Sequence, residues 1–177
     1  MSEVEDATGH APLVLVVMGV SGCGKTTTAE ALAARLGWPF QEGDALHPPA
    51  NVEKMASGHP LTDEDRWPWL EKVAEWAEHR LDAGGSGIIT CSALTRAYRD
   101  LIARRGSGIE FVYLSAPKPL VADRLERRRG HYMPPTLLDS QLATLEEPAA
   151  DEPAIRIDVG RPPSVIVDEI VETLRLG

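Results

Sequence analysis

The sequence predicts an α/β fold built as a doubly wound, five-stranded parallel sheet, and three observations predict it. The run Leu13-Val14-Leu15-Val16-Val17-Met18 is continuously apolar and largely β-branched, as a strand covered on both faces of a parallel sheet must be. The next residues, Gly19-Val20-Ser21-Gly22-Cys23-Gly24-Lys25-Thr26, fit G-x-x-x-x-G-K-[ST], and an Ala- and Leu-rich helical stretch follows. Strand-like runs and helical stretches then alternate to the last residues, which calls for helices on both faces of a parallel sheet.

Each element has its own warrant. The first helix runs from Thr26 to Leu36 and is closed by Gly37. Residues 38–42 form a short second strand, and Gly43-Asp44 signals a loop. Pro48 starts a short helix that stops near Ser57-Gly58. Thr62-Asp63-Glu64-Asp65 has the form of a capping box and opens a longer helix that accommodates Pro68 in its early turns. Trp69, Val73, Trp76, Ala77 and Arg80 recur there at helical spacing, a stripe suited to core packing. Strands follow at 88–91, 111–114 and 155–158, and helices at 95–105, 119–128, 136–146 and 164–176. The Gly/Pro-rich stretch 130–135 breaks the chain between two of those helices.

The glycine-rich run explains itself chemically. Glycines let successive N–H groups turn inward on phosphate oxygens, and the helix N-terminus adds partial positive charge there. Lys25 is expected to reach the β- and γ-phosphates and Thr26 to offer its hydroxyl to Mg²⁺. A nucleoside triphosphate, with residues 19–27 (Gly19, Val20, Ser21, Gly22, Cys23, Gly24, Lys25, Thr26, Thr27) around its phosphates, is the implied ligand.

A chain of 177 residues suits a single domain, here 12–177, behind an acidic tail at 1–11 that is expected to be disordered. A net charge of −9 argues against nucleic acid as the main partner. No signal peptide or membrane span is evident, so a cytoplasmic setting is expected. The two cysteines, Cys23 and Cys91, do not suggest a disulfide framework. Cys23 lies near a helix N-terminus, which lowers a thiol pKa, so oxidants are expected to inactivate the protein through it.

Ligands of open parallel sheets gather at the carboxyl ends of the strands. There stand Asp44 and His47 after the second strand, and Ser92, Thr95 and Arg96 after the third, with Lys54 and Arg66 on the intervening segment 44–83. Asp44 can take a proton from an attacking hydroxyl, or it can simply cap the helix after it. Arg66 offers a planar fork for a carboxylate or phosphate, or a salt bridge to Asp63 or Glu71. Lys54 can equally be a solvated surface lysine. Arg124, Arg127, Arg128, Arg129 and His131 form the main basic cluster, beside a breaker where the chain can hinge. Arginines on such a flap, residues 128–136, can surround a moving phosphoryl group while closure excludes water. The run Asp158-Val159-Gly160-Arg161-Pro162-Pro163, after the last strand, is placed to pack on the nucleobase, with Pro163 as its contact.

Several segments resemble the gluconate kinases (gluconokinases) of the phosphate-loop type. They are Met18 through Thr26; Glu42-Gly43-Asp44-Ala45-Leu46-His47-Pro48; Asn51-Val52-Glu53-Lys54-Met55; Gly58 through Leu70; Cys91-Ser92-Ala93-Leu94; Arg129 through Pro134; Ser140-Gln141; and Thr144-Leu145-Glu146. The resemblance spans nearly everything from Val14 to the last helix. It implies a fold like those of nucleoside monophosphate kinases and shikimate kinases, with a closing lid. It implies ATP-dependent phosphorylation of D-gluconate at its 6-hydroxyl, with Mg²⁺, and often a homodimer. By position Lys25, Asp44 and Arg128 would act in catalysis. Arg124 and Arg128 would face ATP. His47, Lys54, Arg66, Ser92, Arg127 and His131 would face the acceptor side. Cys23 stands where many members have Ser, and Thr26 can stand for Ser. The alternatives are a kinase for shikimate or another small molecule on the same scaffold, and a non-catalytic ATP-gated switch. The polar character of 44–66 suits a polyol acid better than a nucleobase.

Overall fold

The computed structural model describes residues 11–127 and 135–176. Strand β1, Val14–Met18, is buried at every position. Its neighbours are β3, Gly87–Thr90, and β4, Ile109–Ser115, and outside them lie β2, Phe40–Gln41, and β5, Ala154–Asp158. The order is β2-β3-β1-β4-β5 and every pairing is parallel. Val16 stands level with Ile89 on one side and Phe111 on the other. With neighbours on both edges and helices over the sheet, β1 has no solvent face, and its sequence therefore does not alternate. The edge strand β5 does alternate, burying Ile157 between exposed Arg156 and Asp158.

Helix α1, Lys25–Leu36, ends at Gly37, whose φ of 69° lets its N–H reach the carbonyl of Ala33. Helix α2 is Pro49–Ala56, α3 Asp63–Asp82, α4 Arg96–Ile102, α5 Lys118–Arg127, α6 Pro135–Thr144 and α7 Pro163–Leu174. The capping box of α3 is complete: Thr62 Oγ1 accepts from the Asp65 N–H, and the Asp65 carboxylate accepts from the Thr62 N–H. Pro68 leaves the carbonyl of Glu64 without its helical donor, which is tolerable because Glu64 is exposed. The apolar stripe Trp69, Leu70, Val73, Ala74, Ala77 and Leu81 is buried.

Most spans agree with expectation to within two or three residues, and the departures nearest the site are at β2, the turn after it and α4. β2 keeps only two residues, and Gly43–Leu46 winds into a 3-10 turn instead of an open loop. The turn can lie on the end of β3 because residue 43 is glycine: a Cβ there would stand 1.7 Å from the carbonyl oxygen of Thr90. α4 stops at Ile102, and the chain beyond it turns so that Arg104 pairs with Glu71 and Glu78 and Arg105 pairs with Asp82, all on α3. The acidic tail, for residues 1–10, and the flap, for 128–134, lie outside the described residues. No helix among the described residues is long and apolar enough to cross a membrane.

Candidate active site

The loop joining β1 to α1 is fixed from three sides. Lys25, the first residue of α1, folds its ammonium back over the loop and donates to the carbonyls of Gly19 (3.0 Å) and Val20 (3.2 Å). Gln141 on α6 clasps the tip: its Oε1 accepts from the Ser21 N–H at 2.7 Å and its Nε2 donates to Ser21 Oγ at 3.0 Å. Arg124 on α5 donates to the carbonyl of Cys23 at 3.1 Å. Behind the loop, Thr26 Oγ1 donates to Glu42 Oε2 at 2.7 Å, and the other oxygen of Glu42 accepts from Thr90 Oγ1. The Thr26 proton is thus turned toward Glu42, which leaves the hydroxyl lone pairs free for a cation, the arrangement a Mg²⁺ ligand needs.

Two clefts flank the loop. One is lined by Gly22, Cys23, Gly24, Thr27, Arg124, Arg161 and Pro163. The structure therefore brings Thr27, Arg124 and Pro163 together with Arg161, whose guanidinium is held by the carbonyl of Asp158 and by Glu169. Cys23 belongs here as a packing residue. It is buried, with its sulfur 2.7 Å from where a Cβ on Gly19 would stand. Burial raises its thiol pKa despite the opposing influence of Lys25 and Arg124, so the lowered pKa expected from its place near a helix N-terminus is corrected.

The other cleft is lined by Ser21, Lys25, Asp44, His47, Arg66, Trp69, Ser92 and Gln141 with a few apolar side chains. The 3-10 turn carries Asp44 into it, with a side chain 71% exposed. Asp44 caps nothing: the N-cap of its own turn is Glu42 and that of α2 is Pro48. The His47 side chain is 3% exposed and stacks on Trp69, with ring centres 3.9 Å apart. Burial lowers its pKa to about 4; Asp44 opposes that and Arg66 adds to it, so the ring is neutral at pH 7. Trp69 donates its indole N–H to the carbonyl of Gly43 at 2.9 Å, so this tryptophan of the core stripe also supports the turn bearing Asp44. Arg66 makes neither of the ion pairs considered for it. It donates to the Tyr98 hydroxyl at 2.8 Å, and that hydroxyl donates to Asp63.

Other sequence candidates are placed elsewhere. Lys54 is absent from the cleft lining and pairs with the capping carboxylate of Asp65 at 2.6 Å. Thr95 caps α4, and Arg96 makes a two-pronged pair with Asp151. Arg127 ends α5, its side chain lying outside the described residues together with Arg128 and His131. Glu42, Asn51, Trp69, Tyr98 and Gln141 were not singled out as site residues. Glu42, Asn51, Trp69 and Gln141 lie in segments that carry the resemblance; beyond that, Glu42 has a signal of its own, a carboxylate at the end of a strand, one residue before the Gly-Asp turn.

A loop shaped for a triphosphate, with a polar cleft opening on the flank its lysine faces, is the layout of a phosphate-loop kinase for small molecules. The family model of an AAA domain matches residues 14–148. The gluconokinase of Gluconobacter oxydans (strain 621H) is 54% identical over 171 residues, covering 97% of this chain and 96% of its own. Two solved structures superpose closely. A sugar kinase from Janibacter sp. HTCC2649 has a TM-score of 0.87 at 47% identity, covering 94% of this chain and 96% of that one. A gluconokinase from Sinorhizobium meliloti 1021 has a TM-score of 0.83 at 45% identity, covering 93% and 92%. The chain belongs to the gluconokinase family, within this AAA-domain group of phosphate-loop proteins.

Proposed function

We infer that this chain transfers the γ-phosphoryl group of ATP to the 6-hydroxyl of D-gluconate, giving 6-phospho-D-gluconate and ADP. The observation that carries the reading is the acceptor cleft. Lys25 of the phosphate loop, Asp44 and Arg66 line one space with Ser92 and Gln141. Gluconate is an acyclic polyol with one carboxylate. Such a ligand needs a cation for the carboxylate and many hydrogen-bonding groups for its hydroxyls. Arg66, pre-set by Tyr98, suits the carboxylate.

In this reading the acceptor hydroxyl gives its proton to Asp44 as its oxygen bonds to the γ-phosphorus. The bond from that phosphorus to the bridging oxygen breaks, and ADP leaves with the electron pair. Lys25 stabilises the charge on the transferring group. Thr26, oriented by Glu42, would hold Mg²⁺, whose contribution is to neutralise phosphate charge. Arg124 at the phosphate loop, and Arg127, Arg128 and His131 beyond it, would close over the phosphates and the acceptor and keep water out. A flap at 128–136, a cytoplasmic setting and a homodimer belong to the same reading.

The product decides it. With Mg-ATP and uniformly ¹³C-labelled gluconate, the phosphorus of the product should couple to carbon 6. The three-bond coupling to carbon 5 accompanies it; couplings that place the phosphate ester on any other carbon, or release of free phosphate alone, would contradict the reading.

A further inference from the structure

Asn51 is a buried amide on α2, and its nitrogen faces two partners. Nδ2 lies 2.8 Å from the backbone carbonyl oxygen of Asp65 and 3.2 Å from Nδ1 of His47. A carbonyl oxygen can only accept, so the atom facing it is the NH₂ group. An NH₂ group can only donate, so His47 Nδ1 accepts. A neutral imidazole that accepts at one nitrogen carries its proton on the other. That other nitrogen, Nε2, is 3.9 Å from Asp44 Oδ1. The separation is a short approach from a hydrogen bond, and such contacts commonly tighten when substrate binds.

The parts around this chain of contacts are themselves held. Trp69 lies against the ring and ties its indole to Gly43, the residue before Asp44. The Asp65 carbonyl that orients Asn51 belongs to the capping box of α3, with the Asp65 carboxylate anchored by Lys54. A protonated His47 would set a second donor against the Asn51 NH₂ inside a buried pocket. The charged groups facing the ring are Asp44 on its own turn, Arg66 on α3 and Lys25 across the cleft. Of these only Asp44 favours the cation.

We propose that Asn51 is a positioning residue of the reaction, fixing His47 as a neutral Nε2–H donor that holds one oxygen of Asp44 and leaves the other free to take the acceptor proton. An imidazolium in the same place would neutralise the carboxylate and weaken it as a proton acceptor. The proposal rests on the acceptor role given to Asp44 above. It also gives Lys54 a part in the site without contact to substrate, through Asp65.

The test is nitrogen NMR of the full chain with ¹⁵N-histidine, with His47→Gln used to assign the signals. At pH 7 the wild-type His47 should show a bare Nδ1 and a protonated Nε2. In Asn51→Asp the new carboxylate accepts instead of donating. His47 should then shift to Nδ1–H or to the imidazolium. The kcat should fall about tenfold or more, since the proton acceptor is misdirected, while the KM for ATP stays within about twofold, because the nucleotide cleft is untouched. A wild-type ring protonated on Nδ1 would overturn the proposal whether or not the variant folds. So would an altered ring in Asn51→Asp with unchanged kcat. Failure of the wild type to phosphorylate gluconate, with the expected spectrum, would instead fall on the functional reading.

Discussion

Arg66 meets the acceptor cleft with its guanidinium already oriented. Tyr98 accepts its hydrogen bond and donates its own to Asp63, a contact that, after burial, helps raise the Tyr98 pKa. A fork held this way presents its remaining N–H groups in one plane, which a lysine cannot reproduce. Arg66→Lys keeps the charge, yet it should raise the KM for gluconate by about tenfold or more, the scale of one charge-assisted hydrogen bond, with the KM for ATP little changed. A gluconate KM within twofold of wild type would remove Arg66 from carboxylate recognition. Legibility at this scale follows contact distance along the chain. Lys25, Thr26 and Asp44 announce themselves because their neighbours in sequence make the motif. Gln141 is marked only by the Ser140-Gln141 segment of the resemblance, with no role legible, because its partner Ser21 lies 120 positions away. Asn51 reads as an ordinary polar residue of a helix until Asp65 and His47 are seen against it.

The element that most depends on distant support is the loop from β3 to α4. It carries Ser92 into the acceptor cleft and places Ala93 at φ 45°, a left-handed conformation that a residue with a Cβ adopts only under constraint. Arg99 supplies the constraint. Its side chain is 1% exposed, it pairs with Glu152 (4% exposed) at 2.6 Å, and it donates to the Ala93 carbonyl at 2.8 Å. Burial alone would raise the Glu152 pKa; the hydrogen bonds from Arg99 and the Ala149 N–H, with nearby cations, outweigh it and leave it lowered. The loop is tied again where the Glu146 N–H donates to the Leu94 carbonyl at 2.7 Å. Arg99→Met should therefore destabilise the fold by about 3–5 kcal/mol, because it strands a buried carboxylate, and adding Glu152→Gln should restore part of that. A loss under about 1 kcal/mol in denaturant titration would contradict the account, being the scale of an exposed pair. Helix ends were legible where they rest on local chemistry, as at Gly37 and Thr62. The 3-10 turn and the two-residue β2 were not, because both arise from Gly43 lying against Thr90 of β3, 47 positions along the chain.

For the whole molecule, alternation of strands and helices was enough to give a parallel sheet with the phosphate loop at its carboxyl edge. The order β2-β3-β1-β4-β5 was not, since several right-handed crossover patterns share that alternation and only pairing between distant strands chooses among them. The acceptor cleft also leaves a mark on global stability. Unfolded, His47 takes up a proton near the ordinary imidazole value of 6.5; folded, it stays neutral down to about 4. Between those values the unfolded state binds the extra proton, so His47's contribution is complete above pH 6.5 and is lost as pH falls toward 4. Urea midpoints measured across that window should fall more steeply for wild type than for His47→Gln. Parallel curves would mean that the folded ring titrates as it does in the unfolded chain.

The central claim is that the cleft beside Lys25 takes a polyol acid and completes a kinase. The most direct measurement is coupled ADP release with Mg-ATP and a panel of acceptors: gluconate, other aldonates, shikimate, glycerate, nucleoside monophosphates, and none. Release that depends on gluconate, with little or none from shikimate, nucleoside monophosphates or the empty control, is the predicted result. Release that proceeds equally without any acceptor would contradict it and leave an ATP-gated switch. Release that requires a different acceptor would keep the phosphate loop and reassign the cleft that Asp44 and Arg66 line.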